Sequence, residues 1–236
     1  KLNKVHELTK KQNDRLLNFA HIVSHNLRSH SGNLEMMLSF MKVESNDAEK
    51  RKELLSHIVS ISTALSSTVS HLTEVVQIQT ASEIEKEELN LRDFIDGGLA
   101  SLSSDLMTHN VLVVNNIDAD LFVKFNPSYL DSIILNLLSN AIRYRNPNKR
   151  LKLVLSSGTE DGFDFFSVTD NGLGIDMKRH RGKLFGLNKT FHKHPDSRGV
   201  GLFITKNQVE VMNGKIEVES KHLIGSTFKV FMANEN

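Results

Sequence analysis

At 236 residues the chain is long for a single compact unit, and a guide of roughly 100 to 200 residues per domain allows one or two. Its 29 basic and 28 acidic residues are spread along the chain and leave a formal net charge of +1, which disfavours nucleic acid or an anionic membrane as a partner. The absence of cysteine excludes a disulfide framework or thiolate metal site and fits a reducing, cytoplasmic compartment, and no apolar run nears the roughly 20 residues that a bilayer span needs.

Lys1 is not a starting methionine and already lies inside a helical pattern, so an N-terminal sensory or membrane portion is expected to precede it. Apolar residues then recur at Leu16, Ala20, Val23, Leu27, Leu34 and Met41, and again at Leu54, Ile58, Ile61, Leu65, Thr68, Leu72 and Val75. Steps of four and three make a heptad seam. The polar stretch 44–50 separates the two runs, with Asn46 or Asp47 as an N-cap, and predicts two long antiparallel helices. A helix of about 40 residues is about 60 Å long, and a lone pair of that length has too little core to bury its seam. Dimerisation into a four-helix bundle meets that need.

A charged stretch at 83–88 reads as a linker between a helical hairpin over 1–82 and a second domain over 89–236. Beyond it the pattern gives a strand at Leu89–Leu91, a helix holding Ile95, Leu99, Leu102 and Leu106, strands at VLVV and LFVKF, and a helix from about Pro127 to Tyr144 with proline at its start. LKLVLSS and FDFFSVT read as a hairpin turning at Asp161-Gly162, followed by a helix near 199–213 and strands KIEVES and STFKVFM. That is a sheet backed by helices, an α+β sandwich.

Four short motifs carry chemistry: SHNLRSH at 24–30, NLLSNA at 136–141, DNGLGID at 170–176 and RGVGLFITK at 198–206. His25 lies two residues from Val23, about 200° around a helix, and so faces solvent away from the seam. A surface imidazole with a pKa near neutrality can present a neutral nitrogen to an incoming phosphoryl group. His21 and His25 also have metal-ligand spacing, without a further ligand signature. Asn136, Asn140 and Arg143 share a polar stripe opposite Leu130, Ile134, Leu137, Leu138 and Ala141, and an asparagine oxygen is a hard, neutral ligand suited to Mg²⁺. Asp170 to Gly174 reads either as a plain turn or as a carboxylate for an adenine amino group, with Gly172 and Gly174 admitting close backbone approach. Gly199 and Gly201 open a helix whose N-terminus suits phosphate, although the chain has no Walker motif. The cation-rich segment between the two glycine elements reads as a mobile lid over the nucleotide.

In order and spacing these motifs resemble the sensor histidine kinases of two-component systems, in which dimerisation and phosphotransfer helices precede a Bergerat-type ATP-binding domain. SHNLRSH resembles the phosphoacceptor box, NLLSNA the asparagine box, DNGLG and RGVGLFITK the two glycine boxes, KLFGLNKTF the phenylalanine box, and NGKIEVES with GSTFKV the usual ending. The resemblance implies ATP and Mg²⁺ as cofactors, His25 as phosphoacceptor within a group that includes Asn26, Arg28 and Ser29, and Asn140 as Mg²⁺ ligand with Asn136 beside it. It further implies Asp170 for adenine, Arg143 and Tyr144 for phosphate and nucleotide, Gly172 and Gly174 in the loop, and Gly199, Val200, Gly201 and Leu202 around the phosphates. Phe185 would anchor the lid, Thr227 would join the nucleotide site, and either Lys189 or Arg198 would reach the γ-phosphate. A homodimer and a response-regulator receiver domain are the implied partners.

Three residues depart from the family pattern. Asn26 replaces the acidic residue that usually follows the histidine, and loss of such assistance slows transfer by part of a factor of about 10² to 10⁴. His30 replaces a proline, and Ser29 a threonine whose hydroxyl the family associates with phosphatase action; serine keeps that hydroxyl. A kinase-impaired relative acting as regulator phosphatase or dimeric binding module is therefore an alternative. A Bergerat-fold ATPase of the chaperone or topoisomerase kind is a further one, opposed by Asn136 where its catalytic glutamate would stand.

Overall fold

The structure, a computed structural model, describes residues 28–29, 31–41, 48–80, 84–180, 184–186 and 201–234. The chain divides into two units, Lys1–Val76 and Gln77–Asn236. Residues 28–29 are helical, 31–41 form α1, and Ala48–Thr80 form α2, whose last four residues belong to the second unit. Where the side chains of α2 are described, Leu54, Ile58, Ile61 and Leu65 are half-buried and their neighbours exposed, and in α1 Leu34, Met37 and Met41 are the half-covered ones. These are the positions of the heptad seam, with Met37 added. Among the described residues no helix is long and apolar enough to cross a membrane.

The second unit holds β1 (Glu87–Asn90), α3 (Leu91–Ser101), α4 (Ser103–Thr108), β2 (Leu112–Asn116), β3 (Phe122–Phe125), α5 (Pro127–Arg143), β4 (Lys152–Glu160), β5 (Phe163–Asp170), α6 (Met177–His180), α7 (Gly201–Val211), β6 (Lys215–Lys221) and β7 (Gly225–Ala233). A five-stranded sheet has the order β2-β4-β5-β7-β6, and β1 and β3 form a separate antiparallel pair. β2 and β4 run parallel, joined by a crossover that contains β3 and α5; the other pairings of the sheet are antiparallel. The Asp161-Gly162 turn closes the β4–β5 hairpin with both residues at positive φ, 51° and 76°, as a two-residue turn of that composition requires.

Helices α3, α5 and α7 cover one face of the sheet, α5 packing against both of the others. Leu130, Ile133, Ile134, Leu137, Leu138, Ala141 and Ile142 of α5 are buried against Leu153 and Leu155 of β4, Phe166 and Val168 of β5, and Phe228, Val230 and Met232 of β7. Each large side chain so buried contributes about 1.5–3 kcal/mol. Gly98 lets α3 cross α5, because a Cβ there would stand 2.7 Å from Ile134 Cγ2. On the far face, Lys215 Nζ sits 4.1 Å from the Phe231 ring centroid and Lys229 Nζ 3.7 Å from that of Phe165, so the lysine stems roof the aromatic side chains.

Several elements differ from the sequence reading. β1 starts at Glu87, two residues before the expected strand, so Glu87 and Glu88 of the charged linker stretch pair with Phe125 and Lys124. Their side chains stay exposed while the backbone is paired, a combination that charge composition does not reveal. Leu91 begins α3 instead of ending a strand, because Asn90 accepts the Asp93 N–H as an N-cap at 3.2 Å. The helix expected from Ile95 through Leu106 breaks at Leu102, whose ψ of 12° leaves the helical range.

Candidate functional site

The site is organised around α5. Asn126 caps it by accepting the Tyr129 N–H at 3.1 Å, and Pro127 occupies its first turn, where a missing N–H costs nothing. The apolar stripe fixes the rotation of the helix on the sheet, and that rotation turns the polar stripe towards α7. Asn136 Nδ2 donates to Thr205 Oγ1 at 2.8 Å, Asn140 Nδ2 donates to Asn136 Oδ1 at 3.2 Å, and Gln208 Nε2 donates to Ser132 Oγ at 3.1 Å. Thr205 and Gln208 are each 1% exposed, so the bonds to Thr205 and from Gln208 lie between the helices, while the Asn140–Asn136 bond runs along α5 between half-buried residues. Gly201, the first residue of α7, permits the approach: a Cβ there would fall 2.2 Å from Asn136 Oδ1. Leu202 packs, half-buried, against the core.

Asp170 ends β5, and its Oδ1 accepts the Gly172 N–H at 2.7 Å. Burial lifts its carboxyl from the ordinary 3.8 to about 6, against the opposing pull of the Gly172 and Ser226 N–H donors. The loop after Asp170 clasps the end of α5: Leu173 N–H donates to the Tyr144 carbonyl at 2.9 Å, while Tyr144 N–H donates to the Asn140 carbonyl at 2.9 Å. A Cβ on Gly172 would stand 2.5 Å from the Tyr144 carbonyl oxygen. Gly174 has φ +61° and would place a Cβ 2.0 Å from the Lys221 carbonyl oxygen, and Gly225, at φ +142°, would place one 1.9 Å from the Asp170 carbonyl oxygen. Both loop glycines thus admit protein backbone, from α5 and from the β6–β7 turn, instead of opening space for a base. Ser220 secures that turn, its Oγ accepting Ile175 N–H at 2.7 Å and donating to the Gly225 carbonyl at 2.9 Å.

The carboxylate of Asp170, the amides of Asn136 and Asn140 and the start of α7 are therefore linked through short contacts on the helical side of the sheet. Arg143 is half-buried in the last turn of α5. Phe185 packs partly buried against the core next to the fully covered Leu184, and Lys206 Nζ lies 5.4 Å from its ring centroid. Thr227 needs correction. Its register partner is Thr169, to whose hydroxyl it is bonded at 3.0 Å, whereas Ser226 is the partner of Asp170. Alternation along a strand then puts the Thr227 side chain on the face away from Asp170, so the residue beside the carboxylate is Ser226.

His25, Asn26, Lys189, Arg198, Gly199 and Val200 lie outside the described residues, as do most residues of the expected lid; Arg28 and Ser29 are exposed and helical. Among the described residues no group of three His, Cys, Asp or Glu side chains converges to hold a metal. Sequence reasoning missed Thr205, Ser220 and Ser226. Thr205 had a signal, a hydroxyl one turn after Gly201 within the apolar run LFIT; the two serines had none before the strand register was known.

Comparison with known proteins bears on the fold. Residues 125–236 match the family described as "Histidine kinase-, DNA gyrase B-, and HSP90-like ATPase". The heme sensor protein HssS of Staphylococcus haemolyticus is 25% identical over 230 residues, which is 96% of this chain and 49% of that protein, so the chain spans about half the length of this relative. The sensor histidine kinase YcbM of Bacillus subtilis is 26% identical over 217 residues, covering 88% of this chain and 68% of YcbM. Among solved structures, histidine kinase ThkA in complex with response regulator TrrA aligns with a TM-score of 0.72 at 21% identity, over 96% of this chain and 65% of that one. The fold of the second unit is thus that of a Bergerat-type ATPase domain. More particularly, the chain is similar over most of its length to sensor histidine kinases such as YcbM.

The residues present fit an adenine nucleotide and a divalent cation. A buried carboxylate can accept from an exocyclic amine, and an amide oxygen with the rest of its shell left to phosphate and water is the donor set a small hard cation takes. Gly201, without a Cβ, leaves room for the Asn136 amide beside Asn140.

Proposed function

We propose that this chain is the core of an ATP-dependent protein-histidine kinase that phosphorylates His25 and passes the phosphoryl group to an aspartate of a response regulator. The observation that carries the reading is the contact series joining Asp170, Tyr144, Asn140, Asn136 and Thr205, which puts a buried carboxylate and a pair of asparagine amides on one side of one domain. Asp170 orients the base, and Asn140 is the Mg²⁺ ligand. Asn136, both ends of whose amide meet protein partners, supports Asn140 from one turn earlier. Arg143 and the start of α7 at Gly201 and Leu202 border the phosphates, Tyr144 lines the nucleotide, and Lys189 or Arg198 reaches the γ-phosphate. Bound ATP supplies the phosphoryl group, and Mg²⁺ offsets the charge of its phosphates.

The helices of residues 1–82 form the dimerisation hairpin, presenting His25 with Arg28 and Ser29 on their outer face and burying the seam of Leu54, Ile58, Ile61 and Leu65 against a second copy. Half-burial of that seam within one chain supports this. A receiver domain as partner is supported by the regulator bound to ThkA, a kinase of the same fold. A second reading, a kinase-impaired member that dephosphorylates its regulator, is favoured by Asn26 alone, with Ser29 supplying the hydroxyl.

The test is incubation with γ-labelled ATP and Mg²⁺. Acid-labile, alkali-stable label on the protein that is absent from His25→Gln and Asn140→Ala supports the kinase. Bound nucleotide without label on the parent chain would shift the reading to the phosphatase.

A further inference from the structure

An asparagine amide serves a cation only with its oxygen, yet its two ends differ little in size, so something must fix which end faces the metal. On α5 the Asn140 Nδ2 donates to Asn136 Oδ1 at 3.2 Å, which turns the Asn140 oxygen away from Asn136. For Asn136 to offer its oxygen there, its own Nδ2 needs an acceptor on its other side, between two packed helices. That acceptor is Thr205 Oγ1 at 2.8 Å, on a residue 1% exposed. The amide has little freedom to turn elsewhere, because the backbone of Gly201 approaches so closely that a Cβ would lie 2.2 Å from its oxygen and 3.1 Å from its nitrogen.

We propose that Thr205 is a positioning residue for the cation: its hydroxyl on α7 sets the direction of the Asn136 amide, and through it presents the oxygen of Asn140 to Mg²⁺. This rests on Asn140 being the cation's ligand. The relay also couples the register of α7 on α5 to metal affinity, so that a shift of α7 that parts Thr205 from Asn136 weakens the cation site without touching the adenine acceptor at Asp170.

The decisive comparison uses the full chain with Thr205→Val, which keeps the shape and removes the hydroxyl, and Thr205→Ser, which keeps the hydroxyl. ATP affinity is measured by calorimetry in Mg²⁺ and in chelator, with thermal unfolding of the nucleotide-free protein alongside. Thr205→Val is expected to weaken Mg²⁺-dependent binding about 3- to 10-fold, the effect of one net hydrogen bond, while affinity in chelator stays within about twofold. Thr205→Ser restores the magnesium response. Equal affinities for Thr205→Val and the parent in both media, or an equal loss in both, would overturn the relay, since a merely structural role does not discriminate between them. If the valine variant does not fold, Thr205→Ala against Thr205→Ser makes the same comparison, as those two differ by the hydroxyl alone. Asn140→Ala separates the two levels: loss of the magnesium response there but not in the Thr205 variants refutes the relay only, and no effect of Asn140→Ala refutes the assignment of the ligand and the relay with it.

Discussion

Gly201→Ala should destabilise the protein even though alanine is the better helix former. A Cβ at that position meets Asn136 Oδ1 at 2.2 Å, its Cγ at 2.9 Å and its Nδ2 at 3.1 Å, so the whole amide stands in the way and rotation about its last torsion does not help. Asn136 must change rotamer and give up its bonds to Thr205 and Asn140, or α7 must move off α5. Two hydrogen bonds at about 1 kcal/mol each, with a further 1 to 2 kcal/mol if the amide is left without partners, outweigh a helix gain of about 0.5–1 kcal/mol. The net expectation is a loss of about 1–3 kcal/mol. Gly97→Ala supplies the opposite case, because it sits exposed in α3 with nothing within 4 Å of a new Cβ, and it should gain about 0.5–1 kcal/mol. Urea unfolding at constant slope measures both. A Gly201→Ala protein as stable as the parent would refute the argument from close approach.

Other outcomes follow from the same contacts. The Asp170 carboxyl is raised by burial from 3.8 to about 6, so between those values the folded protein holds a proton that the unfolded chain releases. Its contribution to stability is therefore greatest at acid pH and falls, by about 3 kcal/mol in all, as pH rises to about 6 and beyond. Asp170→Asn should remove that slope from urea unfolding of the nucleotide-free protein; an unchanged slope would count against the burial. Adenine-nucleotide affinity should rise as pH passes through about 6 and the acceptor ionises, and the rise should be missing from Asp170→Asn in the same titration. Thr227→Val should leave nucleotide affinity within about twofold while losing about 1 kcal/mol of stability with the Thr169 bond, since its side chain lies on the far face of the sheet. A large loss of affinity would return Thr227 to the site.

What the sequence disclosed was set by short-range pattern. The stripe from Leu130 to Ala141 gave the buried face of α5, Pro127 its start, and Asp161-Gly162 a hairpin turn, because each depends on spacing or on one residue's backbone preference. The division of the strands into two sheets escaped it, since nothing in Glu87–Asn90 or Phe122–Phe125 states which strand each will pair with. The same limit explains the error at Thr227, where one residue of register decides which side chain faces Asp170. Glycines at 172 and 174 were recognised as places of close approach and Gly201 as the start of a phosphate-suited helix, but the groups lying against them are Tyr144, Lys221 and Asn136 of the chain itself, contacts that exist only once distant segments have packed.

Whether the ATPase domain serves His25 is decided by ³¹P nuclear magnetic resonance of the chain after incubation with ATP and Mg²⁺, recorded under alkaline denaturing conditions. A single phosphohistidine resonance that is absent from His25→Gln is expected. Phosphate released to water with no phosphoprotein, or a resonance that persists in His25→Gln, would contradict it.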